Sequence, residues 1–133
     1  LYAADGNLHD VRRVLYCGAN AHSNYWFHVN VPAEMAHDRQ RWRFTLASCG
    51  GSRPAGVTTH PISVDLNGTC LGTKEMGSST SWTIDIPASD ILPGENVFNF
   101  RNGAPNTGSH YTGIDYFALE PLRPTDGTIM LLR

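Results

Sequence analysis

Apolar and polar residues alternate along several short stretches of the chain. In residues 25–31, the large apolar side chains fall on one side of an extended backbone, while Trp26, His28 and Asn30 fall on the other. Alternation with a period of two predicts a β-strand that has one face against a core. Further strand candidates lie at residues 41–48, 62–66, 69–76, 81–86, 96–101 and 113–120.

Turn residues separate these strand candidates. The 13 glycines and 8 prolines fall between the apolar stretches, and Asn67-Gly68 is a strong signal for a two-residue hairpin turn. The one helix-compatible stretch, residues 33–40, follows Pro32 and is only about two turns long, so we expect a loop with a helical turn there. Many short strands with turns between them predict an all-β, antiparallel sandwich.

The strand pattern indicates a single domain. We expect it to cover residues 1–121, with residues 122–133 forming a C-terminal extension or, at residues 128–132, a closing strand. With 41% hydrophobic residues the chain can bury a core, so disorder is not expected. The net charge of −2 gives no reason to expect nucleic acid as a partner, and no stretch predicts a membrane span.

The strand directions divide the connections between two ends of the sandwich. If each strand runs opposite to the one before it, one end holds the segments 17–24, 49–60, 77–80 and 102–112. These connections are the longer ones and are rich in glycine and serine. The same end carries the polar residues Arg53, His60 and Asn102.

The three cysteines admit at most one disulfide. Cys17 and Cys49 fall at the end with the longer connections, whereas Cys70 follows a turn at the other end. Because bridged Cα atoms must lie within about 7 Å of each other, we predict a Cys17–Cys49 disulfide and a free Cys70. A disulfide favours an extracellular location, so we expect a secreted protein.

No catalytic pattern is present in the sequence. The metalloprotease, nucleophile-elbow, phosphate-loop and dinucleotide motifs are missing, and the 6 histidines lack ligand spacing. We therefore expect no enzymatic activity and no required cofactor.

An ordered set of short motifs resembles a known group of domains. The motifs are Tyr-Trp-Phe-His-Val-Asn-Val-Pro at 25–32, Phe-Thr-Leu-Ala-Ser at 44–48, the Asn-Gly hairpin, Trp-Thr-Ile-Asp-Ile-Pro at 82–87, Leu-Pro-Gly-Glu-Asn at 92–96 and Gly-Ile-Asp-Tyr-Phe-Ala-Leu-Glu at 113–120. Over residues 24–120 the chain resembles the jelly-roll carbohydrate-binding modules of the family 6 and family 35 type. It resembles the C-terminal jelly-roll domain of rhamnogalacturonan lyases even more. The resemblance implies a galactose-binding-like jelly roll that binds sugar in a cleft at the loop end or on an exposed sheet face.

The resemblance also bears on calcium. Related modules often hold a structural calcium ion with acidic residues near the start and an aspartate in the last strand. Asp115 matches the last-strand position, while the start offers only Asp5 and Asp10, without paired glutamates. Asp115 is therefore a candidate ligand for structural calcium, and the alternative is a carboxylate capped by loop amides.

The resemblance and the residue chemistry together predict a sugar site at the loop end. An aromatic ring stacks on the apolar side of a pyranose, and planar polar side chains bind its hydroxyl groups. We predict a site around Trp26, His110 and Tyr111, with Asn106 and Asn24 as the partners of sugar hydroxyls.

Other interpretations of the residues stay open. Tyr111 can instead cover the edge of the core. The outward arginines Arg41, Arg43 and Arg101 can bind uronate carboxylates on a sheet face, or simply form a solvated surface.

The predicted function is non-catalytic binding of a polysaccharide or oligosaccharide, with the plant cell-wall type favoured. Because the chain starts at Leu1, we expect it to be processed or cut from a larger protein, and to be tethered to a catalytic domain. The alternatives are a structural jelly-roll domain of a polysaccharide lyase or glycoside hydrolase that binds no sugar, and a free-standing lectin.

Overall fold

Eight β-strands form almost all of the regular structure. The computed structural model describes residues 9–18, 23–105 and 110–123, with the side chains of residues 9–13 excepted. The strands are β1 (His9–Tyr16), β2 (Asn24–Val31), β3 (Trp42–Ser52), β4 (His60–Leu66), β5 (Thr69–Met76), β6 (Ser81–Ile86), β7 (Gly94–Asn102) and β8 (Tyr111–Pro121). Short 3-10 turns lie at Ala33–Met35, as expected of that loop, and at Ala88–Asp90. Within the described ranges, no helix is long and apolar enough to cross a membrane.

The strands form two four-stranded sheets that pack face to face. Sheet A has the order β1-β8-β3-β6, and sheet B has the order β2-β7-β4-β5. All six strand pairings are antiparallel. This arrangement confirms the predicted antiparallel jelly-roll sandwich.

The alternation predicted neither β1 nor the last four residues of β3. β1 pairs along β8 despite an irregularity between Asp10 and Arg13. β3 continues past Ser48 because register shifts let it follow β8 to its first residue. Gly51 makes this continuation feasible, since its φ is 134° and a Cβ would lie 2.8 Å from the Tyr111 carbonyl oxygen. The closing strand predicted at residues 128–132 lies outside the described residues.

Large side chains from both sheets fill the space between them. Phe44 of sheet A stacks on Phe98 of sheet B with ring centroids 4.8 Å apart. The ring centroid of Phe27 in sheet B lies 4.6 Å from that of Phe117 in sheet A and 5.0 Å from that of Phe100. Aromatic pairs of this kind contribute about 0.5–1.5 kcal/mol beyond the area they bury, so these rings bind the sheets together.

Four connections, β1–β2, β3–β4, β5–β6 and β7–β8, lie at one end of the sandwich, which we call the loop end. Backbone hydrogen bonds join them there. The Cys17 amide donates to the His110 carbonyl at 3.0 Å, and the Gly18 amide donates to the Ala104 carbonyl at 3.0 Å. The predicted division of the connections between two ends is therefore confirmed.

The predicted Cys17–Cys49 disulfide is wrong. All three cysteines belong to the described part of the chain, and none of them forms a disulfide there. The sheet order gives the reason, because β8 lies between β1, which Cys17 follows, and β3, which carries Cys49. Two strand spacings separate these strands by about 9.6 Å, beyond the roughly 7 Å that a bridge allows. The disulfide thus gives no support to an extracellular location, which stays a prediction.

Replacing Gly113 with alanine should destabilise the fold. Gly113 of β8 pairs with Cys49 of β3 so closely that a Cβ would run into the Cys49 carbonyl oxygen. We expect Gly113→Ala to lower the free energy of unfolding by about 1–3 kcal/mol, measured by urea denaturation. Gly103→Ala is the control, because its Cβ would make only an ordinary 3.6 Å contact with Pro61. Equal effects of the two substitutions would contradict this account.

Candidate functional site

The structure divides the predicted site residues between the two outer faces of the sandwich. Trp26 points outward from sheet B, since the next residue, Phe27, is buried. Tyr111 points outward from sheet A, since Thr112 is buried. The two rings point away from each other across sheets about 10 Å apart, so they do not form the single aromatic site predicted. Asn106, a predicted hydroxyl partner, lies outside the described residues.

We call the outward side of sheet B around Trp26 the Trp26 face. The indole is 54% exposed and lies opposite Asn99 of β7. Asn99 Nδ2 donates to Asn24 Oδ1 at 3.3 Å, while Asn99 Oδ1 is enclosed and has no hydrogen-bond partner within the described ranges. Further along β2, His28 lies 3.0 Å from Glu95. The face therefore presents a flat aromatic surface bordered by amide and charged groups.

Two of the outward arginines, Arg43 and Arg101, lie on opposite faces, and each is paired with a carboxylate. Arg101, on the Trp26 face, donates to both oxygens of Asp65 at 2.9 and 3.0 Å, and this contact raises the pKa of Arg101. Arg43, on sheet A, donates to Asp85 at 2.9 Å, and the hydrogen bond lowers the pKa of Asp85. Arg43 and Arg101 therefore cannot bind one uronate together.

Tyr111 and His110 lie together at the loop end of sheet A. Tyr111 is opposite Tyr16 of β1, with ring centroids 5.5 Å apart and planes inclined by 51°. His110 Nδ1 lies 3.4 Å from Ser52 Oγ on β3. Tyr111 thus belongs to a pair of rings, which broadens the aromatic surface and also holds Tyr111 in place.

Arg53 is a half-buried cation at the same end. Its terminal NH2 group donates to Thr112 Oγ1 at 2.9 Å, and its NH1 group lies 3.5 Å from Ser78 Oγ. Its Nε is enclosed without a partner, and no carboxylate of the described residues pairs with the guanidinium. A cation withdrawn from water normally has an acidic partner, so Arg53 carries an uncompensated positive charge.

A cluster of buried polar side chains closes the core beneath the loop end. We call this cluster the polar plug, and its members are Cys17, His60, Asn102 and Thr112. His60 is central, with Nδ1 3.0 Å from Thr112 Oγ1 and 3.2 Å from Asn102 Nδ2. Its Nε2 lies 3.4 Å from the Cys17 sulfur. His60 is 2% exposed and Asn102 is 5% exposed, so these two polar residues of the loop end are internal and not available to a ligand.

Asn102 connects three segments of the chain. Its Nδ2 donates to the Leu15 carbonyl at 2.9 Å, and its Oδ1 accepts from the Ala104 amide at 3.0 Å. Its own amide donates to the Ser23 carbonyl at 2.9 Å. One side chain and its backbone thus hold the end of β1, the start of β2 and the β7–β8 connection.

The polar plug favours the neutral form of His60. Burial lowers the pKa of His60 below its ordinary value of 6.5, and the charges of Arg53 and His110 lower it further. Among the causes of the shift, the negative charge of Glu75 alone raises the pKa of His60, and it acts without a hydrogen bond to the ring.

Asp115 lies where β8 leaves its regular pairing. The register shifts at this point on both sides, so Asp115 has no direct partner on β1 or β3. Among the side chains that are described, no group of three or more histidine, cysteine or acidic residues could hold a metal ion. The other predicted acidic ligands, Asp5 and the side chain of Asp10, lie outside the part of the chain that the structure describes. A structural calcium ion at Asp115 therefore stays a prediction.

Asn102→Ala should be much more harmful than Asn99→Ala. Removing the Asn102 side-chain amide takes away the hydrogen bond to the Leu15 carbonyl and leaves the buried Ala104 amide without its acceptor, and the unsatisfied amide alone costs about 1–3 kcal/mol. Asn99 lies on an outer face and makes only its bond to Asn24, so its substitution should change stability by less than about 0.5 kcal/mol. Chemical denaturation of both variants measures the difference. Similar losses would show that the polar plug is not a main support of the loop end.

Solved structures provide the comparisons, since no protein-family model matches the chain and no curated protein matches it as a relative. The CBM36-1 domain of a multidomain xylanase from the hindgut metagenome of Trinervitermes trinervoides is 17% identical, with a TM-score of 0.55 over 87% of this chain and 88% of that one. A family 35 carbohydrate binding module from Clostridium thermocellum is 19% identical, with a TM-score of 0.52 over 77% of this chain and 73% of that one.

A longer protein contains the same fold. The GH26-CBM35 β-(1,4)-mannanase of Podospora anserina is 14% identical, with a TM-score of 0.53 over 92% of this chain and 29% of the mannanase. At these identities the similarity shows the fold, and it confirms the predicted jelly roll of the family 35 type. The likeness to rhamnogalacturonan lyases stays a prediction.

Proposed function

We propose that this chain is a non-catalytic carbohydrate-binding module whose ligand lies against the Trp26 face. The observation that carries the proposal is an indole that is 54% exposed and bordered by amide and charged side chains. Contact with the apolar side of a pyranose would remove the indole from water, while sugar hydroxyls meet planar polar groups at its border. The fold shared with family 35 and family 36 carbohydrate-binding modules supports the same function.

Asn99 and Asn24 are the expected hydroxyl partners beside the indole. The two side chains share one long hydrogen bond, and Asn99 Oδ1 is an acceptor with no partner in the described part of the chain. Buried acceptors in native proteins are nearly always satisfied, and a small rotation of this amide would offer the atom to a sugar hydroxyl.

The loop end of sheet A is a second candidate surface for the same function. It combines the Tyr16–Tyr111 rings with His110 and the uncompensated Arg53. A guanidinium without a carboxylate partner favours an acidic sugar, which could supply that carboxylate.

The wider role is part of the proposal. The module would be secreted, tethered to a catalytic domain, and directed to a polysaccharide of the plant cell wall. The mannanase of Podospora anserina, which includes a family 35 module, is an example of such a combination. The alternatives are a structural domain that packs on an enzyme through the Trp26 face, and a free-standing lectin.

Trp26→Ala should weaken carbohydrate binding about tenfold or more without unfolding the protein. The loss of a stacked ring costs on the order of 1 kcal/mol beyond its contact area, and the outward indole contributes little to the core. Affinity electrophoresis over a polysaccharide panel would first identify a ligand, and calorimetric titration with a matching oligosaccharide would then measure the variants. Trp26→Phe is the matched control, since it keeps an aromatic surface and should retain most of the affinity.

Tyr111→Ala distinguishes the two surfaces. Loss of affinity in Tyr111→Ala with wild-type affinity in Trp26→Ala would move the site to the loop end. Absence of binding to every polysaccharide tested would favour the structural-domain alternative.

Arg53→Gln should selectively weaken the binding of an acidic saccharide if the ligand lies at the loop end. A hydrogen bond to a charged group is worth about 1.5–3 kcal/mol, so we expect a loss of about tenfold or more for an oligogalacturonide. A neutral galacto-oligosaccharide should bind unchanged. Arg43→Gln is the control, because that arginine is already paired with Asp85. Equal loss for acidic and neutral ligands would contradict a charge-specific role.

A further inference from the structure

The polar plug determines which nitrogen of His60 carries the proton. The Ala104 amide donates to Asn102 Oδ1, and the Leu15 carbonyl accepts from Asn102 Nδ2, so two backbone groups fix the orientation of this amide. Its NH2 group then faces His60 Nδ1 at 3.2 Å, and an NH2 group can only donate. His60 Nδ1 is therefore an acceptor, and the proton lies on Nε2, 3.4 Å from the Cys17 sulfur.

A second proton on His60 has no suitable place in this arrangement. It would bring an N–H group against the Asn102 NH2 group, and the other neighbour of Nδ1, the Thr112 hydroxyl, would have to accept it beside the hydrogen bond that it already accepts from the charged Arg53. The new charge would be buried near two positively charged or chargeable groups, Arg53 and His110. Glu75 acts on it only at a distance, and no carboxylate of the described residues contacts the ring. The imidazolium thus repels the Asn102 NH2 group 3.2 Å away, which favours a movement of the Asn102 side chain away from the ring.

We infer that the polar plug is a proton-sensitive device in which His60 is the positioning residue for the loop end. While His60 is neutral, Asn102 holds the end of β1, the start of β2 and the β7–β8 connection together. Protonation displaces Asn102, and these segments loosen. Neither the fold nor carbohydrate binding by itself requires this behaviour.

The direction of the pH effect follows from proton linkage. In the loosened state water reaches His60, which then has an ordinary affinity for protons, whereas the closed state holds the ring neutral. The loosened state therefore binds more protons, and its population grows as pH falls below about 6.5. Above that pH the closed state has its full stability. A ligand at the loop end would bind more weakly in acid, and this consequence alone rests on the proposed function.

Amide hydrogen exchange on the protein without ligand tests the inference. The reporters are the amides of Gly18 and Ala104, which bond within the loop end. Linkage to one proton predicts that their protection factors, corrected for intrinsic exchange, fall by up to about eightfold from about pH 7 to about pH 5.5. The amides of Asn67 and Val97, which bond at the opposite end, are internal controls and should not change.

His60→Asn removes the titrating group and keeps an acceptor near the position of Nδ1. Its protection factors at Gly18 and Ala104 should not depend on pH, whereas those of His28→Asn, which alters an exposed histidine, should follow the wild type. A pH-dependent loss in His60→Asn equal to that of the wild type would overturn the inference, as would constant protection in the wild type. A parallel loss at Asn67 and Val97 would show global unfolding and would overturn it too.

The tautomer of His60 gives a second test that needs no variant. Long-range nitrogen–proton NMR spectra of the wild type should show a proton on Nε2 and none on Nδ1 at neutral pH. A proton on Nδ1 would contradict the hydrogen-bond pattern on which the proton sensitivity depends, even if His60→Asn did not fold.

Discussion

Within the described ranges the two sheets form no strand ladder with each other, so the side chains between them determine how one sheet lies against the other. Phenylalanine rings from both sheets fill the middle of this space. At the loop end His60 and Asn102 occupy inward positions next to apolar ones, Ile62 on β4 and Phe100 on β7. Buried polar groups are stable only when each one has its hydrogen bonds, so the polar plug constrains the loop end more narrowly than an apolar core would.

In the regularly alternating strands, the face to which a side chain points could be predicted from the sequence, because successive residues of a strand point to opposite faces. The period of two in residues 25–31 placed Trp26 outside, and the indole is indeed exposed. The assumption that each strand runs opposite to the one before it also assigned the connections to the correct ends of the sandwich. Both are local properties of the backbone, so they required no knowledge of which strands pair.

Which sheet a strand joins could not be predicted in the same way, since strand order depends on packing between residues far apart in the sequence. Trp26 and Tyr111 were therefore assigned to one site, although β2 belongs to sheet B and β8 to sheet A. The disulfide failed for the same reason. Cys17 and Cys49 do lie towards the same end of the sandwich, but the insertion of β8 between their strands separates them.

His60 and Asn102 show that a signal for the polar plug was already present in the sequence. His60 comes two residues before the buried Ile62, and Asn102 two residues after the buried Phe100, so both continue the inward phase of their strands. Arg101 and Asn99 have the opposite phase and point outward. Polar residues of one end thus divide into those in phase with the core, which hold the fold, and those out of phase, which can meet a ligand. Arg53 lies beyond the end of β3, where no such phase applies, and only the absence of a carboxylate beside it among the described residues makes it a candidate for binding an acidic ligand.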